Sequence, residues 1–105
     1  MKDETLVITE EKGGKVCRLA ARGRIDSNSA DILLYKLEDV LKGGQTVIIL
    51  DMSRIEYLSS IGIRAILKIY KHASEVGGSF SIERPSEIVK NVLGMAALKD
   101  MLVTE

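Results

Sequence analysis

The first part of the chain alternates between short β-rich runs and a glycine-containing break. Residues 5–9 (Thr-Leu-Val-Ile-Thr) are typical of a strand, and an apolar pattern resumes over residues 16–20 after Gly13 and Gly14. Two glycines between such runs predict a hairpin. We expect its second strand to end near residues 23–26, because helix-capping residue types follow.

Two apolar stripes at helical spacing come next along the chain. Both recur at three- and four-residue steps with polar residues between them, which predicts amphipathic helices. The first helix ends at the glycines 43–44, and the second follows a turn at residues 57–62 and ends at the glycines 77–78. The stripes are Ala30, Leu33, Leu34, Leu37, Val40 and Leu41, and then Ile63, Ile66, Leu67, Tyr70 and Ala73.

The remaining apolar runs predict two more strands and a short helix. Residues 46–50 are continuously apolar and β-branched, as in a strand buried on both faces of a sheet, with residues 51–54 ending it. Residues 79–82 indicate another strand, residues 86–94 a third helix, and residues 98–103 a final turn or an edge strand. Strands separated by helices require parallel crossovers. The predicted fold is therefore α/β, with a mixed, largely parallel sheet and helices mainly on one face.

Length and composition narrow the class of protein. A chain of 105 residues is sized for one domain, so residues 1–105 are interpreted as a single unit. The 15 basic and 15 acidic side chains leave no net charge, which argues against nucleic acid as a partner. No apolar run approaches the roughly 20 residues that span a bilayer, and the N-terminus lacks the layout of a secretory signal. We expect a cytoplasmic protein without direct membrane insertion.

Neither Cys17 nor His72 predicts a metal or cofactor site. Each is the only residue of its type in the chain, so paired thiol or imidazole ligands are excluded. Cys17 lies in an alternating strand pattern and His72 in a segment typical of a helix surface. No phosphate-binding glycine loop and no nucleophile motif are present, so we expect a protein that is not an enzyme and needs no cofactor.

Two local motifs, together with the order of elements, resemble the STAS family, the domain shared by sulphate transporters and bacterial anti-sigma factor antagonists. Residues 23–26 (Gly-Arg-Ile-Asp) are similar to the family's Gly-x-Leu/Ile-Asp at the end of the second strand. Residues 49–63 are similar to a strand, an Asp-Leu-Ser, an apolar spacer and Asp-Ser-Ser/Ala-Gly-Leu. The second motif is the more specific one, because its parts fall at fixed spacing.

The resemblance implies a role for particular residues. The family's phosphorylated serine falls on Ser60, the glycine that starts the helix on Gly62, and the acidic residue beside the site on Asp26. Asp26 also has a second interpretation, as a cap of the first helix. One position departs from the pattern, because this chain has Ser59 where phosphorylated members usually have Asp.

Physical chemistry gives a phosphorylated serine at a strand-to-helix turn a reason to act as a switch. A helix N-terminus stabilises the phosphoryl charge within the domain, while a partner packed on the same turn is repelled. Either serine of the turn could instead simply cap the helix. Arg64, four residues after Ser60, could pair with the phosphate or with an acidic partner.

The expected partner surface combines the turn with the polar face of the second helix. Exposed Leu58 and Ile61 would form its apolar centre, as buried anchors do in other interfaces. The polar face carries Arg64, Lys68, Lys71 and Glu75 and would suit an acidic partner. The expected surface comprises Asp26, Leu58, Ser59, Ser60, Ile61, Gly62, Arg64 and Lys68.

Three functions of different class follow. The first is an anti-sigma factor antagonist that binds an anti-sigma factor with serine kinase activity, is switched off by phosphorylation of Ser60, and is restored by a serine phosphatase. The second is a STAS adaptor subunit of a transport or signalling assembly, without phosphorylation, which Ser59 favours. The third, an enzyme, would have to use Asp26, Asp51, Glu56, Ser60 and His72, and no motif supports it.

Overall fold

The computed structural model describes residues 5–104, apart from the side chain of Lys12. Its four strands form one sheet in the order β1-β2-β3-β4, with β1 antiparallel to β2 and the other neighbours parallel. This confirms the predicted mixed, largely parallel sheet. The elements are β1 Leu6–Gly13, β2 Val16–Ile25, α1 Ala30–Lys42, β3 Val47–Leu58, α2 Ser60–Glu75, β4 Ser79–Glu83, α3 Glu87–Met95 and α4 Lys99–Leu102.

One face of the sheet is covered and the other is open. Along β2, Cys17, Leu19 and Ala21 are buried, whereas the residues between them are exposed. The buried face packs against the apolar stripes of α1 and α2, whose Leu33 and Ile66 are fully buried. Because side chains alternate across a strand, the same alternation leaves an open face on the opposite side.

The third strand is longer than the sequence pattern predicted. Residues 51–54 do not end it, because β3 continues to Leu58 alongside the ten-residue β2. Two register irregularities, between Ala20 and Arg22 and between Gly23 and Arg24, absorb the extra residues of β3. The prediction of burial on both faces was also wrong: Ile48 and Leu50 are buried, but the residues beside them are only half-buried.

The Gly-Arg-Ile-Asp motif has a backbone explanation. Gly23 has a φ of +117°, and a Cβ there would lie 2.1 Å from the carbonyl oxygen of Thr5. Both facts require glycine at this position. The amide of Arg24 donates to the same Thr5 oxygen at 2.8 Å, so the chain just before β1 is fixed to the end of β2.

The C-terminal segment forms a short helix and not the edge strand that was the predicted alternative. Residues 99–102 form the short helix α4, and Val103 then bridges to Ile82 of β4 in parallel register. Leu102 is fully buried, which anchors this segment to the core. His72 is half-buried rather than a plain surface residue, and its Nδ1 lies 2.6 Å from Oε1 of Glu38, joining α2 to α1.

Candidate functional site at the start of the second helix

The turn between β3 and α2 is a single residue, Ser59. Its backbone is extended, with φ −86° and ψ 169°, and its hydroxyl accepts a hydrogen bond from the Gly62 amide at 3.1 Å. Its own amide donates to the Ile25 carbonyl at 2.9 Å. Ser59 is therefore the N-cap of α2 and also fixes the turn to the end of β2.

Gly62 allows the helix to start close to the sheet. A Cβ at this position would lie 2.7 Å from Cγ2 of Ile25 and 2.8 Å from Cδ1 of Leu58. Gly62 is buried, so it shapes the turn through packing and not through an exposed surface. A larger residue at position 62 would force these two side chains to shift.

Ser60 is the first residue of α2 and is exposed. None of the side-chain hydrogen bonds found among residues 5–104 uses its hydroxyl, since the capping bond belongs to Ser59. The first amides of a helix lack intrahelical partners, and no acidic side chain lies in the first turn of α2. The Ser60 hydroxyl therefore stands beside an uncompensated positive helix end.

The polar face of α2 is exposed, as the sequence predicted. Arg64, Lys68, Lys71 and Glu75 are all exposed, and none of the ion pairs found within residues 5–104 involves Arg64 or Lys68. Arg64 lies one helical turn after Ser60. The cationic side chains of Arg64, Lys68 and Lys71 are available to an anion or to an acidic partner.

Asp26 caps the turn that leads into the first helix and not the helix itself, whose N-cap is Ser29, so the interpretation of Asp26 as a helix cap was wrong. Its Oδ1 accepts hydrogen bonds from the Asn28 amide at 2.9 Å and from the Ser29 amide at 3.2 Å. The Asn28 hydrogen bond is the main reason that the pKa of the Asp26 carboxyl lies below its usual value. Asp26 directly follows Ile25, whose carbonyl accepts the hydrogen bond of the Ser59 amide, so the turn before α1 and the start of α2 are neighbours.

The expectation that Leu58 is an exposed contact was wrong. Only 4 % of Leu58 is exposed, because β3 extends to this residue and turns its side chain into the core. Ile61 is 44 % exposed and remains a surface residue. We define the turn surface as the exposed or half-buried members of the predicted set: Asp26, Ser59, Ser60, Ile61, Arg64 and Lys68.

The structure adds apolar residues that the sequence pattern did not identify. Tyr57 is 38 % exposed at the end of β3, and the guanidinium of Arg24 lies 4.5 Å from its ring centroid. On α1, Ile32 and Tyr35 are exposed. Ile32 could have been identified from the sequence, because it is an apolar residue that lies outside the apolar stripe of α1. The Arg24–Tyr57 contact could not, because it depends on the register between strands.

The other candidate chemical groups do not join this site. Asp51 lies on the open face of the sheet, where its Oδ2 pairs with Arg84 at 2.6 Å. His72 pairs with Glu38 between the helices, and Cys17 is buried in β2. Among residues 5–104, no group of three or more histidine, cysteine or acidic residues could hold a metal ion. No helix in this range is long and apolar enough to cross a membrane.

Several solved structures share this fold. The anti-sigma factor antagonist SpoIIAA in its unphosphorylated form superimposes with a TM-score of 0.80 at 19% identity, covering 94% of this chain and 89% of its own. An anti-sigma factor antagonist from Mycobacterium paratuberculosis gives a TM-score of 0.83 at 17% identity, covering 97% and 87%. The phosphorylated form of SpoIIAA from Bacillus gives a TM-score of 0.74 at 18% identity, covering 94% and 92%.

Sequence comparison identifies the family directly. A Thermotoga neapolitana protein, named provisionally as an anti-sigma factor antagonist and TM1081 homolog, is 34% identical over 64 residues. That match covers 61% of this chain and 57% of the relative's length. The family model described as "Mlab, STAS domain" matches residues 8–104. The chain therefore belongs to the STAS domain family.

Proposed function

We propose that this chain is an anti-sigma factor antagonist that binds its partner through the turn surface and is released from it by phosphorylation of Ser60. The observation that carries the proposal is that the two serines of the turn have different roles. Ser59 caps α2, which leaves the Ser60 hydroxyl exposed at the helix start. A modification of Ser60 therefore removes no structural hydrogen bond found in the fold.

The proposed partner is an anti-sigma factor that is also a serine kinase, acting in the cytoplasm with a serine phosphatase as its counterpart. The names of the relatives supply the general role, and SpoIIAA has been solved in both phosphorylated and unphosphorylated forms. In this chain, the exposed Ile61 would provide an apolar contact, and Arg64 and Lys68 would face acidic side chains of the partner.

A phosphoryl group on Ser60 would have opposite effects inside and outside the domain. Inside, the free amides and the positive end of α2 would stabilise its charge of about −1.5 to −2. Arg64, one turn later, could reach it as a second source of positive charge. Outside, a partner with acidic groups would meet like charge, and burial of the dianion would cost binding energy. Binding would be lost while the fold is retained.

The test is phosphorylation by the kinase-type anti-sigma factor of the same organism. We expect wild-type protein, incubated with this kinase and ATP, to gain the mass of one phosphoryl group, and Ser60→Ala to gain none. Ser59→Ala is the matched control at the adjacent position and should still be modified. A wild-type protein that gains no phosphate, or a Ser60→Ala variant that is modified equally, contradicts the switch.

A second candidate, a STAS adaptor without phosphorylation, has an observation in its favour. Where phosphorylated members usually have an acidic residue before the phosphoserine, this chain has Ser59. The role of Ser59 as the helix cap explains its presence without any kinase. In addition, the description of the family model, "Mlab, STAS domain", does not mention an anti-sigma factor antagonist. A stable complex with another assembly subunit, unaffected by Ser60→Glu, would favour the adaptor.

A further inference from the structure

The open face of the sheet contains a cavity of about 560 Å³ that shares no residue with the turn surface. The small side chain of Ala20 leaves room on this face of the sheet, while longer side chains surround it. Its volume lies within the range of small-molecule sites, and its lining is more polar than that of most of them. The lining residues are Val7, Thr9, Ala20, Ala21, Arg22, Asp51, Ser53, Arg54 and Arg84.

An irregularity of the sheet brings polar side chains together here. Ala20 pairs with Asp51 but Arg22 pairs with Arg54, so β3 has one extra residue between these two positions. As a result Ser53 and Arg54, although adjacent in sequence, are both exposed. Irregularities of this kind redirect side chains, and they are common next to functional sites.

Arg22 and Arg54 are like charges placed opposite each other on neighbouring strands. Like charges on neighbouring strands repel each other, although exposure to water and salt weakens the repulsion. None of the ion pairs found within residues 5–104 involves either of them, whereas the other arginines of the sheet region are paired: Arg18 with Glu83, Arg24 with Asp26 and Arg84 with Asp51. Two guanidinium groups without an ion-pair partner among the described residues therefore lie at one cavity.

The single acidic group of the cavity does not neutralise them. Asp51 accepts hydrogen bonds from Arg84 at 2.6 Å and from the Ser53 amide at 2.9 Å. Three arginines and one aspartate line the cavity, so positive charge remains in excess. Hydroxyl groups of Thr9 and Ser53 add neutral donors, and guanidinium groups match the oxygens of a phosphate in bidentate geometry.

We infer that this cavity binds a small phosphorylated ligand, with Arg22 and Arg54 holding its phosphate group. The volume exceeds what a phosphate ion alone would fill, so the rest of the ligand would lie over Ala20 and towards Val7 and Thr9 of β1. This site is independent of the proposed phosphorylation of Ser60. It would give the domain an input signal on the face opposite to its helices.

The test uses isothermal titration calorimetry of the full chain with glucose 6-phosphate, inorganic phosphate and glucose at constant ionic strength. We expect glucose 6-phosphate and phosphate to bind and glucose not to bind. Tighter binding of glucose 6-phosphate would show that the cavity accepts a phosphorylated molecule, whereas equal binding would assign the site to free phosphate. The Arg22→Gln/Arg54→Gln variant should bind at least about tenfold more weakly, because two charge-assisted contacts are lost.

A charge-matched variant separates a site from general attraction. Lys15→Gln/Lys99→Gln removes two exposed cations elsewhere and should bind both phosphates as the wild type does. The unliganded Arg22→Gln/Arg54→Gln variant should unfold at the same or a higher temperature, because a like-charge pair is removed. The inference is overturned if neither phosphate compound binds the wild type, or if both double variants weaken binding equally.

Discussion

The starts of α1 and α2 are neighbours at one edge of the sheet, yet their electrostatics differ. In the turn that leads into α1, the Asp26 carboxylate accepts hydrogen bonds from two backbone amides, and Asp31 lies in the first turn of the helix. The buried Ser29 hydroxyl donates to the Arg24 carbonyl at 2.6 Å. At α2, only the uncharged Ser59 hydroxyl caps the helix, and the first turn has no acidic residue.

The difference shows where a new negative charge fits. An anion added at α1 would meet Asp26 and Asp31, whereas one added at Ser60 would meet a positive helix end without acidic neighbours in its turn. Of the helices within residues 5–104, α2 is the one whose first turn lacks an acidic residue, since Asp31, Glu87 and Asp100 supply one to the others. The start of α2, unlike that of α1, has no acidic residue in its first turn to oppose an added negative charge.

The largest expected effect tests the packing that holds α2 in place. Leu58→Ala should lower the free energy of unfolding by about 2–5 kcal/mol, because a buried side chain is removed and a cavity is left. Ile61→Ala, at the exposed neighbour, should change it by less than about 0.5 kcal/mol. Urea denaturation of both variants measures the contrast. If both variants lost little stability, the assignment of Leu58 to the buried core would be wrong.

The two serines of the turn should differ in their contribution to stability. Ser59→Ala removes the N-cap and should cost about 1 kcal/mol. Ser60→Ala removes an exposed hydroxyl and should stay within about 0.5 kcal/mol of the wild type. The same denaturation experiment applies, and a larger loss for Ser60→Ala would show that the capping assignment is wrong.

A negative charge at Ser60 should stabilise the fold slightly. Ser60→Glu should raise the free energy of unfolding by about 0.3–1 kcal/mol at low salt, and the gain should shrink as salt screens the helix dipole. Ser27→Glu, in the turn before α1, is the control and should give no gain, because Asp26 and Asp31 already place negative charge on either side of that helix start. If both variants stabilised the fold equally, the contrast between the helix starts would disappear.

The smallest expected effect concerns the charge on Asp26. Because the folded state lowers its pKa from the usual 3.8, ionised Asp26 stabilises the fold above that value, and the contribution is lost as the pH falls through the lower, folded pKa. Asp26→Asn keeps an acceptor oxygen but no charge. Its urea midpoint should lie slightly below that of the wild type at pH 7, and the gap should narrow towards pH 3. A gap that stays constant with pH would assign the effect to hydrogen bonding alone.

The sequence predicted the element order well because burial and periodicity are local signals. The stripes of α1 and α2 and the alternation of β2 follow from helix and strand geometry. The length of β3 was missed because residues 51–58 contain consecutive polar positions that look like a strand end. In the structure they are accommodated by two register irregularities, which depend on pairing with β2.

The candidate site was predictable in its residues and less so in its geometry. Ser60 and Gly62 could be located from the motif, but the capping role of Ser59 and the burial of Leu58 depend on how far β3 extends. The juxtaposition of Arg22 with Arg54 could not be predicted at all, because it is created by strand register between residues 32 positions apart in number. Non-local pairing is the information that periodicity lacks.

The most direct test of the central claim is the affinity of the kinase-type anti-sigma factor for this chain with phosphoserine incorporated at position 60. We expect binding about 100-fold weaker than that of the unmodified chain, with an unfolding temperature at or above that of the unmodified chain. Equal affinities of the phosphorylated and unmodified chains, with both folded, would contradict the account.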